Sequence, residues 1–146
     1  MFLGLLDGKR KGKLLTVNHN ESVENAIRLM LEEDYSQLPV MKRDKVVGVI
    51  SYESLARNVF SFIESKSKPP AKFGVKDCME KVSKIFSVED DVMNLLSTLE
   101  EKSYAMIRNR SKVTDIISSC DALWFFRTYG EGFLNGKVAF LSRRVL

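Results

Sequence analysis

Two stretches of this chain have the same plan. "SQLPVMKRDKVVGVIS", residues 36–51, and "SYAMIRNRSKVTDIIS", residues 103–118, are equally long, and each begins and ends in serine. Each sets two apolar runs around a short charged turn, the pattern of a β-hairpin. The offset between them is 67 at both ends, since 103 − 36 and 118 − 51 agree. An internal repeat limits the fold more than any composition does, because one supersecondary unit has to be built twice and packed.

The repeat extends to both sides of the hairpins. Upstream, Val23, Ala26, Ile27, Met30 and Leu31 fall on one helical stripe, with Ser22 placed to cap it and Glu24 in its first turn. Val92, Leu95, Leu96 and Leu99 repeat the stripe behind Asp91 as the cap. A short strand-like piece precedes each helix, at 14–17 and at 84–88. Downstream, "SYESLARNVFSFI" puts Leu55, Val59, Phe62 and Ile63 on one face, and "SSCDALWFFR" is its shorter, more aromatic counterpart. Each copy therefore reads strand, helix, strand, strand, helix. The offset falls from 71 at Val17/Val88 to 69 at Val23/Val92 and 67 at the hairpins, which predicts two small deletions in the second copy. The expected domains are copy one at 1–63, a linker at 64–71, copy two at 72–128 and a C-terminal extension at 129–146. That extension has no evident counterpart; its glycines divide it into turns, with "KVAFLS" as a strand candidate. About 60 residues is marginal for one core. The prediction is an α/β (α+β) fold of two βαββα units, packed sheet against sheet about an approximate two-fold axis.

Composition narrows the functional classes. The chain of 146 residues is 45% hydrophobic and 29% charged, which excludes a disordered chain. The net charge of +4 is concentrated in "GKRKGK" (8–13) and "SKSKPPAK" (65–72), read as solvated entry and linker segments, with nucleic-acid contact as the alternative. No apolar run approaches a membrane span and "MFLGLL" lacks the plan of a signal peptide, so the expected compartment is the cytoplasm. Two separated cysteines, Cys78 and Cys120, and the single His19 are too few for a zinc site, and no Ser-His-Asp set is possible beyond His19. With no glycine-rich phosphate loop, the expectation is no enzyme, no metal and no cofactor.

In order and spacing the pieces resemble a pair of CBS domains, the family named after cystathionine β-synthase. The first copy carries "TV" at 16–17, "ESVENAIRLM" at 21–30, "SQLPV" at 36–40 and "GVIS" at 48–51. The second keeps "DCM" at 77–79 and "DIISSCD" at 115–121, but has "SYAMI" for "SQLPV" and Asp115 where the family has glycine. The resemblance implies a regulatory module that binds an adenine nucleotide such as AMP, ADP or ATP in a cleft between the copies, dimerises, and signals to a protein partner. It also implies a ribose motif, Ser/Thr-x-x-Asp, where the last strand meets the last helix. Ser118-x-x-Asp121 meets that motif. An ionised carboxylate is acceptor-only, and its two oxygens suit two vicinal hydroxyls. Ile85, Phe86, Tyr104, Ala105 and Met106 would form the base slot. Arg108, Arg110 and Lys112 are either phosphate partners or a solvated turn. In the first copy the motif is Ser51-x-x-Ser54, without the acid, beside a slot of Thr16, Val17, Leu38, Pro39 and Val40. Glu53 stands about 100° away around the helix.

The same four letters at Ser118 also spell a helix capping box. Two other readings stand beside nucleotide sensing: a ligand-free dimerisation or protein-interaction module, and nucleic-acid binding through the basic segments. The helices bearing Phe60, Phe62, Phe125 and Phe126 would extend an apolar patch, so a homodimer is expected.

Overall fold

The computed structural model describes residues 14–65, 74–82 and 84–143. The basic cluster 8–13 and residues 66–72 of the second cluster lie outside them. The chain divides into two compact units, one over Leu15–Ser83 and one holding the chain from Lys84 onward.

The first unit runs β1 (Val17–Asn18), α1 (Val23–Glu33), β2 (Gln37–Lys42), β3 (Lys45–Ser51), α2 (Tyr52–Ser65) and α3 (Val75–Cys78). Its sheet has the order β1-β2-β3, with β1 parallel to β2 and β3 antiparallel. The second unit runs β4 (Ile85–Ser87), α4 (Val92–Glu101), β5 (Tyr104–Asn109), β6 (Lys112–Ser118), α5 (Ser119–Tyr129), a 3-10 turn (Gly130–Asn135) and α6 (Ala139–Arg143). Its sheet, β4-β5-β6, repeats the first pairing. The duplicated βαββα plan is present in both.

Strand register corrects the sequence alignment. Val17 pairs with Val40 and Phe86 with Ile107. Since 107 − 40 is 67, Phe86, not Val88, is the counterpart of Val17, at offset 69. One two-residue change therefore suffices, and it lies where the first helix ends. There α1 closes on Asp34 in the left-handed region (φ 61°), whose N–H donates to Met30, while α4 runs straight into extended Lys102 (φ −119°).

The helices form for the reasons their sequences suggest. Ser22 Oγ accepts the Asn25 N–H at 3.1 Å, and Val23, Ala26 and Met30 are buried. Leu31, which the stripe included, is 65% exposed: it sits eight residues after Val23, about 80° around the helix. In the second unit Val92 and Leu95 are buried. Asp91 holds the cap position without a side-chain cap bond; its Oδ1 instead accepts from Lys137 Nζ at 2.7 Å. That bond to Asp91 holds the Lys137 ammonium above the usual lysine range.

The boundaries between copies also differ from the sequence reading. Residues 74–80, placed there in the second copy, pack on the first. The Val75 N–H donates to the Glu21 carbonyl at 2.8 Å, and Val75 and Cys78 belong to the first core. The tail does the same for the second unit. The Val138 N–H donates to the Asp90 carbonyl at 2.8 Å, and Phe133, Val138 and Leu141 belong to the second core. Glu21 and Asp90 are 69 apart, Val75 and Val138 are 63 apart, and so are the buried pair Cys78 and Leu141. The tail thus has a counterpart after all: each unit ends in a strap that returns to the N-terminus of its first helix. The "KVAFLS" segment is mostly helix α6, not a strand, apart from one bridge between Asp91 and Lys137.

The straps part ways after this point. The first leaves its helix at Met79 and pairs Glu80 with Val49, N–H to carbonyl both ways at 2.9 and 2.8 Å. Gly48 permits this, since a Cβ there would lie 2.7 Å from Met79 Sδ and 2.8 Å from the Glu80 carbonyl oxygen. At the equivalent position the second unit has Asp115, whose side chain excludes so close a pass, and its strap stays helical through Arg143.

Two outcomes follow for stability. Leu141→Ala should cost about 2–5 kcal/mol in denaturant unfolding, the range of a core leucine and not of a frayed tail. Gly48→Ala should cost about 1–3 kcal/mol, because the backbone carbonyl of Glu80 has to shift.

Candidate ligand site at the strand-to-helix junctions

Each hairpin passes from strand to helix with no intervening loop, at Ser51–Tyr52 and at Ser118–Ser119. A helix that starts so abruptly leaves its first N–H groups to be satisfied by side chains. At the second junction Ser118 Oγ accepts the Asp121 N–H at 3.2 Å. In return, Asp121 Oδ2 accepts from the Ser118 N–H at 2.8 Å and from its hydroxyl at 3.1 Å. This is a complete capping box, and Asp121 is 1% exposed. Ser118 takes two of the roughly four acceptor positions a carboxylate has.

The first junction makes the same box from two serines. Ser51 Oγ accepts the Ser54 N–H at 3.0 Å, and Ser54 Oγ accepts the Ser51 N–H at 2.9 Å. The Ser54 hydroxyl then donates to the Ser51 carbonyl at 3.1 Å. Both serines are buried. The cap is preserved, but the negative charge is not. Just beyond it, burial, with the Asp34 carboxylate adding to it, pushes the Tyr52 hydroxyl above its usual range.

Strand alternation divides the expected slot residues between two faces. Phe86, Ala105, Ile107 and Ile117 face the helices as the second core. Ile85, Met106 and Ile116 share one row on the opposite face, and Tyr104 pairs with Ser118 at its end. Phe86 and Ala105 therefore offer only their backbone to anything on that face, while Ile85, Tyr104 and Met106 present side chains. In the first unit Val17, Leu38 and Val40 are likewise core residues. Pro39 pairs with Val49 and Gln37 with Ser51 on the other face, and Thr16 lies just before β1. Val49, Ile116 and Gln37 were missed by sequence reasoning. Counting outward from the two-residue turn does not find them, because a bulge between Val40 and Met41, and another between Ile107 and Arg108, moves every later pair by one residue.

The basic turn lies at the other end of the hairpin from this junction. Lys112 begins β6 and Ser118 ends it, so six steps of about 3.3 Å put Lys112 roughly 20 Å from the box. Arg108, four residues along β5 from Tyr104, is the nearest of the three cations. Arg108 is also engaged, its guanidinium donating to the Arg110 carbonyl at 2.8 Å.

Other chemistry is sparse. Among the described residues no group of three or more His, Cys, Asp or Glu is placed to hold a metal ion. Cys78 is buried and Cys120 exposed. Among the described residues no helix is long and apolar enough to cross a membrane.

Comparison with known proteins agrees with the fold. Residues 10–61 match the CBS domain family. Among solved structures, a CBS domain designated NE2398 superposes with a TM-score of 0.69 at 21% identity, covering 84% of this chain and 94% of its own. The CBS-domain containing protein ATU1752 from Agrobacterium tumefaciens gives 0.68 at 18%, with coverages of 82% and 88%. CBSX2, solved in complex with AMP, gives 0.63 at 21%, with coverages of 79% and 88%. No curated protein matches the sequence.

The boxes make separable contributions. Asp121→Ala should lower stability by about 1 kcal/mol through loss of the cap, seen as a lower melting temperature. Asp121→Asn, whose amide oxygen still accepts from the Ser118 N–H, should lose less than half of that.

Proposed function

We propose that this chain, in which a CBS domain is followed by a second unit of the same fold, is a regulatory module that binds an adenine nucleotide at the Ser118–Asp121 junction. The observation that carries this reading is the buried carboxylate at that junction, absent from its otherwise equal counterpart at Ser51–Ser54. A carboxylate recognises vicinal ribose hydroxyls through charge-assisted bonds that a serine hydroxyl cannot equal. On the same sheet face Ile85 is half-buried beside the buried Tyr104 and Met106, an apolar environment of the kind a purine base requires. The similarity to a protein solved with AMP supports the choice of ligand class. In the first unit Ser51 and Ser54 satisfy one another, so we assign one nucleotide per chain, not two.

The output is a change in how the module meets a protein partner, and catalysis has no part in it. Exposed Leu123 and Phe126 on α5 give the second unit an apolar face, and exposed Phe60 and Ile63 on α2 give the first unit its own; on faces of this kind we expect a homodimer. Phe125, also expected on that surface, is instead a core residue. A sensor of adenine nucleotides belongs where their pool is, in the cytoplasm.

One observation favours a second reading. The Ser118–Asp121 box is complete as a helix cap with no ligand at all. On that view the chain is an interaction module whose acid only starts a helix.

Calorimetry with AMP, ADP and ATP separates the two. Binding should be near one per chain and should raise the melting temperature by mass action. Asp121→Asn should weaken it about tenfold or more while changing ligand-free stability little, because one charge-assisted bond is worth at least ~1.5 kcal/mol. Ser54→Asp should create a second, weaker site. If Asp121→Ala lowers the melting temperature and leaves affinity untouched, the carboxylate is a cap alone.

A further inference from the structure

With the hairpins aligned at offset 67, Arg43-Asp44 stands where Arg110-Ser111 stands. Strand pairing reaches Lys42 with Lys45 and Asn109 with Lys112, so both loops contain two residues. In each, the first loop residue is an arginine with positive φ, 57° at Arg43 and 59° at Arg110. That backbone suits glycine or asparagine, and an arginine there is strained. Each turn also gathers three cations: Lys42, Arg43 and Lys45 in the first, Arg108, Arg110 and Lys112 in the second. Among the described residues, none of Lys42, Arg43, Lys45, Arg110 or Lys112 forms an ion pair. The second loop residue is where the turns differ chemically. The first turn has a carboxylate of its own at Asp44; the second has an exposed hydroxyl at Ser111.

We propose that Ser111 is a phosphorylation site, modified by an ATP-dependent protein serine kinase. The Ser111 Oγ forms a bond to the γ-phosphorus of ATP as the bond from that phosphorus to the β–γ bridging oxygen breaks. ADP leaves, and the hydroxyl proton passes to the kinase's base. The product supplies, by modification, the anion that Asp44 supplies by sequence. A phosphoryl group of about −1.5 to −2 lowers the turn's formal charge from three positive to about one. Its oxygens are strong acceptors for guanidinium and ammonium groups, and Arg108 already lies against this loop. Cations on both sides of the serine also suit an enzyme whose substrate groove is acidic. A kinase needs the tip to open locally. The two loop residues are exposed and outside the core, and the strain at Arg110 favours opening.

The test is mass spectrometry of the full chain purified from its own cells, with fragmentation to place the modification. One phosphoryl group on Ser111 is expected in a fraction of the molecules. Its absence from Ser111, or a phosphoryl content that Ser111→Ala leaves unchanged, overturns the proposal. In vitro, a serine kinase with basic-substrate preference and ATP should modify the wild type. Arg110→Gly, which relieves strain and so keeps the fold, should slow that reaction about tenfold through loss of one charged contact. Ser111→Asp should hold or raise the melting temperature at low salt, with any gain lost at high salt. A fall in that temperature would mean the turn does not accommodate the charge, and would also overturn the proposal.

Discussion

Two main-chain hydrogen bonds close this molecule's units: Val75 N–H to the Glu21 carbonyl, and Val138 N–H to the Asp90 carbonyl. A three-stranded sheet with two helices leaves the N-terminal end of its first helix open, and the apolar residues beneath it, Val23 or Val92, would meet water. The straps prevent this. Each is anchored where the loop before the helix offers a carbonyl, and each then lays apolar side chains over the gap: Val75 and Cys78 in one unit, Val138 and Leu141 in the other. The aromatic run of α5 depends on the same closure. Phe125 stacks on Phe133 with centroids 6.0 Å apart and meets Phe140 at 5.9 Å, so the helix that carries Asp121 is seated against the second strap.

From that seat the junction chemistry follows. The turn from strand to helix without a loop demands a cap, and a serine three residues before an acceptor provides one in both units. At the second junction the carboxylate is held in place by the Ser118 N–H. On the proposed reading that bond also pre-organises it for a ribose, which reduces the cost of binding. The first junction makes the cap without the charge. Asp115 shows the reverse case: where the first unit has Gly48, the second has a side chain, and the consequence lies with the strap. Gly48 is required by the approach of Glu80 to Val49, and the second strap does not make that approach.

Much of this was legible in the letters. The stripe of Val23, Ala26 and Met30, the hairpins with their two-residue turns, and the serines that end them each rest on contacts within a few residues, where side-chain period and turn chemistry are written locally. The Ser118-x-x-Asp121 box is legible for the same reason, as all its bonds span three residues. What the letters do not carry is direction. The side chains of Phe86, Ala105, Val17, Leu38 and Val40 belong to the cores, because only pairing across strands fixes which parity faces the helices.

The sequence by itself determined the duplicated βαββα plan, the serine caps and the one acid that sets the two junctions apart. Tertiary structure alone decided that residues 74–80 belong to the first unit and that the tail is their counterpart in the second. It also decided that Asp91 bonds Lys137. These facts join residues tens of positions apart, mostly through backbone groups that every residue carries. A main-chain N–H and carbonyl leave no mark in the letters, so the pairing of Val138 with Asp90 exists only once the chain has folded.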